Sequence, residues 1–305
     1  MLCRRAVLLA FLLLLAPAAR AETLFQKDFA LLAVSAREFR KPEDLTLSPD
    51  GKFLLVADAG SDSVAVLDPK SLTLLGRFGQ GDLSRPHDVA FLNAGTVLVA
   101  DTGHDRIAVY DFQGLAAGGG IKAAPLGAWR DGISVPEGIA VAPAGDAVYV
   151  ANEGHNAVIK LDAGGTVVNK AGGYSRARMV DFTRPHGIAV HPDGRVFVSD
   201  SGDDRMVVLN SDLVYLQRFR GRPSAFDDPR YVTFDGDGNL WLADESNNRV
   251  LMLNSSHEIQ LQIGSGNRGD GPGELNRPEG VAVRGRLVWI TDTYNDRILL
   301  LRHLR

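Results

Sequence analysis

A proline recurs six times along the chain, and the residues around it recur with it. The segments are Lys-Pro-Glu-Asp-Leu at 41, Arg-Pro-His-Asp-Val at 85, Val-Pro-Glu-Gly-Ile at 135, Arg-Pro-His-Gly-Ile at 184, Asp-Pro-Arg-Tyr-Val at 228 and Arg-Pro-Glu-Gly-Val at 277. Pro42, Pro86, Pro136, Pro185, Pro229 and Pro278 stand 44 to 50 residues apart, the period of arrays built from small sheets. After each proline comes an apolar strand, a turn such as Ser48-Pro49-Asp50-Gly51 or His191-Pro192-Asp193-Gly194, and a second apolar strand. The second strands end at Asp58, Asp101, Asn152, Asp200, Asp244 and Asp292. A polar turn then leads to an alternating strand, as at Arg106 to Tyr110, and a fourth strand follows, as at Leu72 to Phe78 or Ile259 to Ile263.

Four short strands with turn signals between them make one antiparallel sheet. One such sheet cannot cover both of its faces, whereas six packed radially cover each other. The fold predicted is therefore all-β, a six-bladed β-propeller over 22–305 in a single domain. The sixth repeat runs out after Asn295 to Leu301 without a fourth strand, while Asp28 to Val34 is a strand-like run ahead of the first proline. An unpaired edge invites pairing with other chains, so the N-terminal strand is predicted to complete the last blade.

The first 21 residues are expected to lie outside the fold. Arg4 and Arg5 precede an apolar run from Ala6 to Ala16, Pro17 breaks it, and Ala19-Arg20-Ala21 supplies the small-residue pattern of a secretory cleavage site. The run is too short to cross a bilayer, which takes about 20 apolar residues, so no membrane anchor is expected after cleavage at Ala21. The destination is periplasmic or secreted. The lone cysteine, Cys3, leaves with the signal, which excludes disulfides, thiolate metal sites and a cysteine nucleophile. Losing Arg4, Arg5 and Arg20 takes the net charge from −4 to −7. A mildly acidic chain offers no broad basic surface for phosphate backbones, so nucleic acid is not an expected partner.

Arg-Pro-Glu-Gly-Val-Ala-Val at 277, preceded by Gly-Asp-Gly-Pro-Gly-Glu-Leu at 269 and followed by Thr-Asp-Thr-Tyr-Asn-Asp-Arg-Ile at 291, resembles the NHL repeat. The first copy, from Ser48 to Asp68, also resembles the YVTN repeat of bacterial envelope propellers. The resemblance covers nearly the whole chain after the signal, and it implies the propeller fold without fixing an activity, since propellers host lyases, lactonases, sensors and adaptors.

Several repeated polar residues read as architecture. Asp101 with Arg106, Asp200 with Arg205, Asp244 with Arg249 and Asp292 with Arg297 share one offset and predict an ion pair inside each blade. Ser63 and Ala157 hold the arginine position in the first and third copies, which are expected to do without the pair. Arg268-Gly269-Asp270 spells an adhesion tripeptide but lies within a glycine-rich connector. His104 and His155 fall in equivalent turns and are expected at the surface. Phe112 to Val135 and Tyr174 to Thr183, with Arg176 and Arg178, read as insertions at blade edges.

The residue after each proline opens the innermost strand, so Glu43, His87, Glu137, His186, Arg230 and Glu279 are predicted to ring the central axis and form a ligand-binding mouth. Converging charges in a restricted space suit an ion or a polar ligand. Alternate blades give His87, His186 and Glu279, a donor set suited to zinc. This trio is similar to the zinc site of peptidyl-α-hydroxyglycine α-amidating lyase, which uses three Pro-His motifs. Glu279 departs from that pattern, and the lyase's catalytic tyrosine and arginine fall on Gly154 and Ser201. Tyr294 stands on a different blade from the missing tyrosine and does not replace it.

Three functions follow as expectations. One is an exported binding or scaffold module that holds a protein, a peptide or a small polar ligand at the mouth. Another is a zinc-dependent lyase or hydrolase with Glu43 or Glu137 moving the proton. The third is a calcium-dependent lactonase of the gluconolactonase type, drawing on Glu43, Glu137 and Asn152.

Overall fold

The computed structural model describes residues 23–173 and 180–304. The expected export signal therefore lies outside the described residues, as do Arg176 and Arg178. Among the described residues no helix is long and apolar enough to cross a membrane.

Five sheets of four strands and one of five form six blades. The first runs outward through Pro42–Leu47, Leu54–Asp58, Ser63–Leu67 and Leu74–Phe78, all antiparallel. Blades two to five repeat the scheme from innermost strands Pro86–Asn93, Pro136–Val141, Pro185–Val190 and Pro229–Phe234. The second strand of each blade is buried throughout, as at Leu54–Asp58 or Leu240–Asp244, or at all but its first residue, as at Thr96–Asp101 and Leu287–Asp292, because a neighbouring blade covers each face. Each of six apolar clusters bridges two adjacent blades. Tyr149 and Val158 meet Val198 and Leu209 between blades three and four, and Leu54 and Leu67 meet Trp289 and Leu300 between blades one and six. The ring is thus closed by packing all the way round.

It is also closed by pairing. Phe29–Val34 lies antiparallel to Arg297–His303 and supplies the missing outer strand of blade six, as expected. Thr23–Gln26 folds back on it as a fifth strand that the repeat pattern does not announce. The Gln26 side chain ties this hairpin to blade five, donating to the Gln262 carbonyl at 3.1 Å and accepting from Gly264 N–H at 3.0 Å. Phe112 to Val135 is no loose insertion: the third and fourth strands of blade two form a long hairpin, Arg106–Leu115 with Ile121–Trp129.

The blade-end aspartates show how a short sequence repeat fixes a turn. In every blade one carboxylate or amide oxygen of Asp58, Asp101, Asn152, Asp200, Asp244 or Asp292 accepts a backbone N–H from two residues before the repeat proline, at 2.6–2.8 Å. In blades two, four, five and six the other oxygen takes the expected arginine Nε at 2.5–2.7 Å. Blade one corrects the expectation of a missing pair. Arg77, from the outermost strand, reaches Asp58 at 2.6 Å and Ser63 Oγ at 3.1 Å. Blade three is the one whose blade-end residue makes no such ion pair. Its Asn152 is neutral and donates to the Gly132 carbonyl at 2.9 Å instead. His104 and His155 are drawn back onto Asp101 and Asn152, at 3.0 and 3.1 Å, so these turn residues take part in the same lock. Within the adhesion-like tripeptide, Arg268 is bonded to Asn276 at 2.8 Å and Asp270 to Arg37 at 2.9 Å, as parts of the connector.

Candidate functional site

The axial ring is set by a backbone device repeated six times. Four residues after each blade-end Asp or Asn, a short polar residue adopts the left-handed conformation, with φ between 45° and 51° at Asp62, Asp105, Asn156, Asp204, Asn248 and Asp296, which Asn and Asp tolerate better than most. Its side-chain oxygen accepts the N–H of the residue before the next blade's proline at 2.7–3.1 Å. That residue is left-handed too, even where it is Val135 (φ 45°). The pairing then slips just after the proline, as between Pro42 and Leu45 or Pro185 and Ile188. The slip opens the ladder and turns the next side chain to the axis.

Glu43, His87, Glu137, His186, Arg230 and Glu279 are accordingly brought to one end of the channel, all buried except the partly exposed His87 and Arg230. They divide into two groups. His87 Nδ1 hydrogen-bonds Glu137 Oε2, and His186 Nε2 lies 3.3 Å from that same oxygen. The two imidazole rings stand 6.2 Å apart, and one ligand atom from each of the three residues lies within 4.8 Å of the others. Counting alternate blades pointed to Glu279 as the third member; the structure groups Glu137, because the two histidines flank blade three and lean over it. Glu279 lies with Glu43 on the other side of the ring, and their carboxyl groups hydrogen-bond each other. Arg230 stands between the groups, with Nε on Glu245 and Nη2 on Asp228 at 3.1 Å.

Burial governs the charges here. It pulls His186 well below the ordinary histidine value, helped by Arg230 and His87, so the ring is neutral. It pushes Glu279 well above the carboxylate range, with Glu43 adding repulsion, and raises Glu43 as well. Both shifts favour the protonated form, so the pair is disposed to share a proton. Arg230 is desolvated too, but Glu279, Glu245 and Asp228 outweigh that and keep it charged.

Two sets of residues at the axis were not singled out from the repeat. The residue after each blade-end Asp or Asn also faces the mouth. In blades two, four and six it is Thr102, Ser201 or Thr293, whose hydroxyl donates to the carbonyl of the next blade's proline. In blades three and five it is Glu153 or Glu245, and Glu245, fully buried, also pairs with Arg277 at 2.7 Å. One level below the ring, three blades carry glycine, and a Cβ on Gly187 would lie 2.4 Å from the Arg230 carbonyl oxygen. The other three carry Asp44, Asp88 and Tyr231. The signal was the fourth residue of each repeat segment, Asp in two copies and Tyr in one where the other three have Gly.

Ser201 has its hydroxyl committed to the Pro229 carbonyl, and Gly154 is packed against Ser134, so neither supplies the amidating lyase's tyrosine or arginine. Tyr294 stands on the rim, 37% exposed, with Lys41 and Arg277 over its ring at 5.2 and 4.9 Å. Asn152 spends its side chain inside blade three and does not reach the axis.

A family model described as "Lactonase, 7-bladed beta-propeller" matches residues 77–254, more than half of the chain. The protein belongs to this lactonase propeller family. The matched stretch begins in the outermost strand of blade one and ends just after the third strand of blade five. This member closes its ring with six blades where the family description counts seven. No curated protein matches the chain. Among solved structures it is similar to the catalytically inactive histidine-to-alanine variant of Staphylococcus aureus virginiamycin B lyase with quinupristin, at TM-score 0.59 and 16% identity over 87% of this chain and 81% of that one. A streptogramin B lyase matches at TM-score 0.59 and 16% identity, covering 90% and 97%, and Kuenenia stuttgartiensis hydrazine synthase at 0.60 and 18%, covering 87% and 78%. At these identities the likeness is one of fold.

Proposed function

We propose that the protein is an exported enzyme that opens a cyclic ester at the axial mouth, with a divalent metal ion held by His87, Glu137 and His186. The observation that carries this reading is the convergence of three donor atoms within 4.8 Å on adjacent blades. One orphaned buried atom supports it: His186 Nδ1 has no hydrogen-bond partner, and such an atom is costly unless something meets it. Two imidazoles and one carboxylate suit zinc, whereas calcium prefers an all-oxygen shell, and Asn152 is not free to contribute one. When bound, zinc polarises an ester carbonyl and acidifies water. The lactonase family membership, and a lyase of the same fold that is inactive without one histidine, agree with a ring-opening reaction.

The chain's own residues have distinct tasks. His186, kept neutral by burial, offers a lone pair instead of a proton. Glu43 and Glu279 hold one proton between them and can release it to the leaving alkoxide. Arg230, fixed by Glu245 and Asp228, keeps a positive charge beside the position where the product carboxylate forms. The repeats themselves we assign to the NHL type, on the connector at 269–275 and the Arg-Pro-Glu-Gly-Val segment.

A second reading, a binding module without turnover, is favoured by one observation: Gly154 and Ser201 leave the lyase's two catalytic positions empty of the chemistry found there. Titrating acid release from a panel of γ- and δ-lactones, with and without zinc, separates the two. Ring-opening that falls about 100-fold in Glu43→Gln is the expected result. A chain that retains zinc and opens no lactone would leave the binding module.

A further inference from the structure

We infer that Glu153 is a catalytic residue of the mouth, the general base that takes a proton from the water that opens the ring. This role rests on the reading of the mouth as a ring-opening site and fills a gap in it. Water that adds to an ester carbonyl has to give up a proton. Glu137 is spent on holding the metal, and Glu43 with Glu279 serves the leaving group on the other side of the ring.

Glu153 stands on blade three, the blade that the two histidines flank. Pro136 pairs there with Asn152, and the Glu153 N–H donates to the Val135 carbonyl at 3.1 Å. Glu153 therefore lies across from Val135, two positions nearer the rim than Glu137, or about 7 Å along the strand. Its turn is firmly held. Asn152 accepts the Ser134 N–H at 2.7 Å and bonds His155 at 3.1 Å, and the Glu153 carbonyl accepts the Asn156 N–H at 2.7 Å. The side chain is partly buried, and the charged groups that act most strongly on it are Glu137, Arg184, Arg230 and His87. It thus belongs to the metal-holding half of the ring, apart from Glu43 and Glu279.

The same repeat position is already committed in the other blades. Thr102, Ser201 and Thr293 donate to the next blade's proline carbonyl, Ala59 has no polar side chain, and Glu245 is locked between Arg230 and Arg277. Among the described residues the Glu153 carboxylate has no hydrogen-bond or ion-pair partner. A partly buried carboxylate left free beside Glu137 is a cost to the fold, of the kind that catalytic carboxylates carry. As the water oxygen adds to the carbonyl carbon, its proton passes to Glu153. The ring C–O bond then breaks, and the alkoxide takes its proton from the Glu43 and Glu279 pair. Glu153 returns its proton to solvent, which recharges the pair. Lactone and water become a hydroxy acid, and no other reactant is needed.

Steady-state lactone opening by the zinc-loaded chain from Glu22 tests this. Glu153→Gln should lower kcat at least about 100-fold, with KM moved less than about two-fold and zinc retained in native mass spectrometry. Glu153→Ala should be as slow and should regain about ten-fold on adding formate, a carboxylate small enough for the vacated space, whereas Glu153→Gln should not respond. Acetohydroxamic acid gives a reading without turnover. It sheds its hydroxyl proton on binding zinc, so the parent should hold it about ten-fold more tightly than Glu153→Gln does. Glu153→Gln with the parent's kcat, Glu153→Ala that formate does not accelerate, or zinc lost with Glu153→Gln would overturn the role of Glu153 and leave the ring-opening reading standing. A zinc-loaded parent that opens no lactone would end that reading. Equal hydroxamate binding would then overturn the role of Glu153 as well, whereas tighter binding by the parent would keep it as the proton acceptor of the site. A parent that binds no zinc would overturn both.

Discussion

Blades three and four differ at one ion pair, and that difference can be transplanted. In blade four Asp200 is fully buried; Arg205 donates to it at 2.7 Å and to the Asp181 carbonyl at 2.7 Å. Arg205→Ala therefore strips a buried carboxylate of its cation and a carbonyl of its donor. Breaking a buried pair from one side costs about 3 kcal/mol or more, which for a chain of this size lowers the melting temperature by roughly 6–9 °C. Blade three shows the repair. Its Asn152 keeps the backbone bond through its oxygen, from Ser134 N–H at 2.7 Å, and its amide donates to the Gly132 carbonyl. Gly132 is the counterpart of Asp181, so adding Asp200→Asn to Arg205→Ala rebuilds the blade-three arrangement and should recover at least about half of the loss. The pH dependence has a definite sign. Burial, opposed by the Thr183 N–H and Arg205, pushes Asp200 up to about 6 in the folded chain. A carboxyl raised on folding contributes stability that is complete below its unfolded value near 4 and lost as pH rises through 6. Removing Arg205 raises it further, so the single variant should gain on wild type as pH falls from 8 towards 5, while the double variant runs parallel to wild type apart from Asp200's own titration. Denaturant melts of the three proteins at several pH values measure this. A double variant no more stable than Arg205→Ala at pH 8 would refute the reasoning.

Two further outcomes test the architecture. Arg77→Ala should destabilise blade one about as much as Arg205→Ala destabilises blade four, by about 3 kcal/mol, since Arg77 is the cation on buried Asp58; denaturant midpoints decide it, and a loss under about 0.5 kcal/mol would return Arg77 to the surface salt bridges. Deleting residues 22–34 removes the outer strands of blade six and leaves Arg297–His303 as a bare edge; size-exclusion chromatography should then show self-association, and a monomer with the parent's melting curve would contradict closure by the N-terminal strand.

Much of this was legible because the repeat is a geometric instruction. The proline spacing gave the blade count, and the missing fourth strand after Leu301 assigned Phe29–Val34 to blade six. The ring at the mouth followed from one position in the repeat. What the repeat could not say was which ring members touch. Six equivalent positions invite symmetric grouping, so alternate blades paired the histidines with Glu279, whereas packing brought them onto Glu137. Arg77 escaped notice because it occupies a different strand from the arginine it replaces, and burial of Asp58 decides that some cation must come.

Native mass spectrometry of the chain from Glu22, after exposure to zinc and to calcium, beside the His87→Ala, His186→Ala double variant, bears most directly on the site. One zinc adduct in the parent, absent from the double variant and from Glu137→Ala but retained in Glu279→Gln, is the expected result. A parent that binds neither metal, or one whose zinc survives Glu137→Ala and is lost with Glu279→Gln, would contradict the assignment of the mouth to His87, Glu137 and His186.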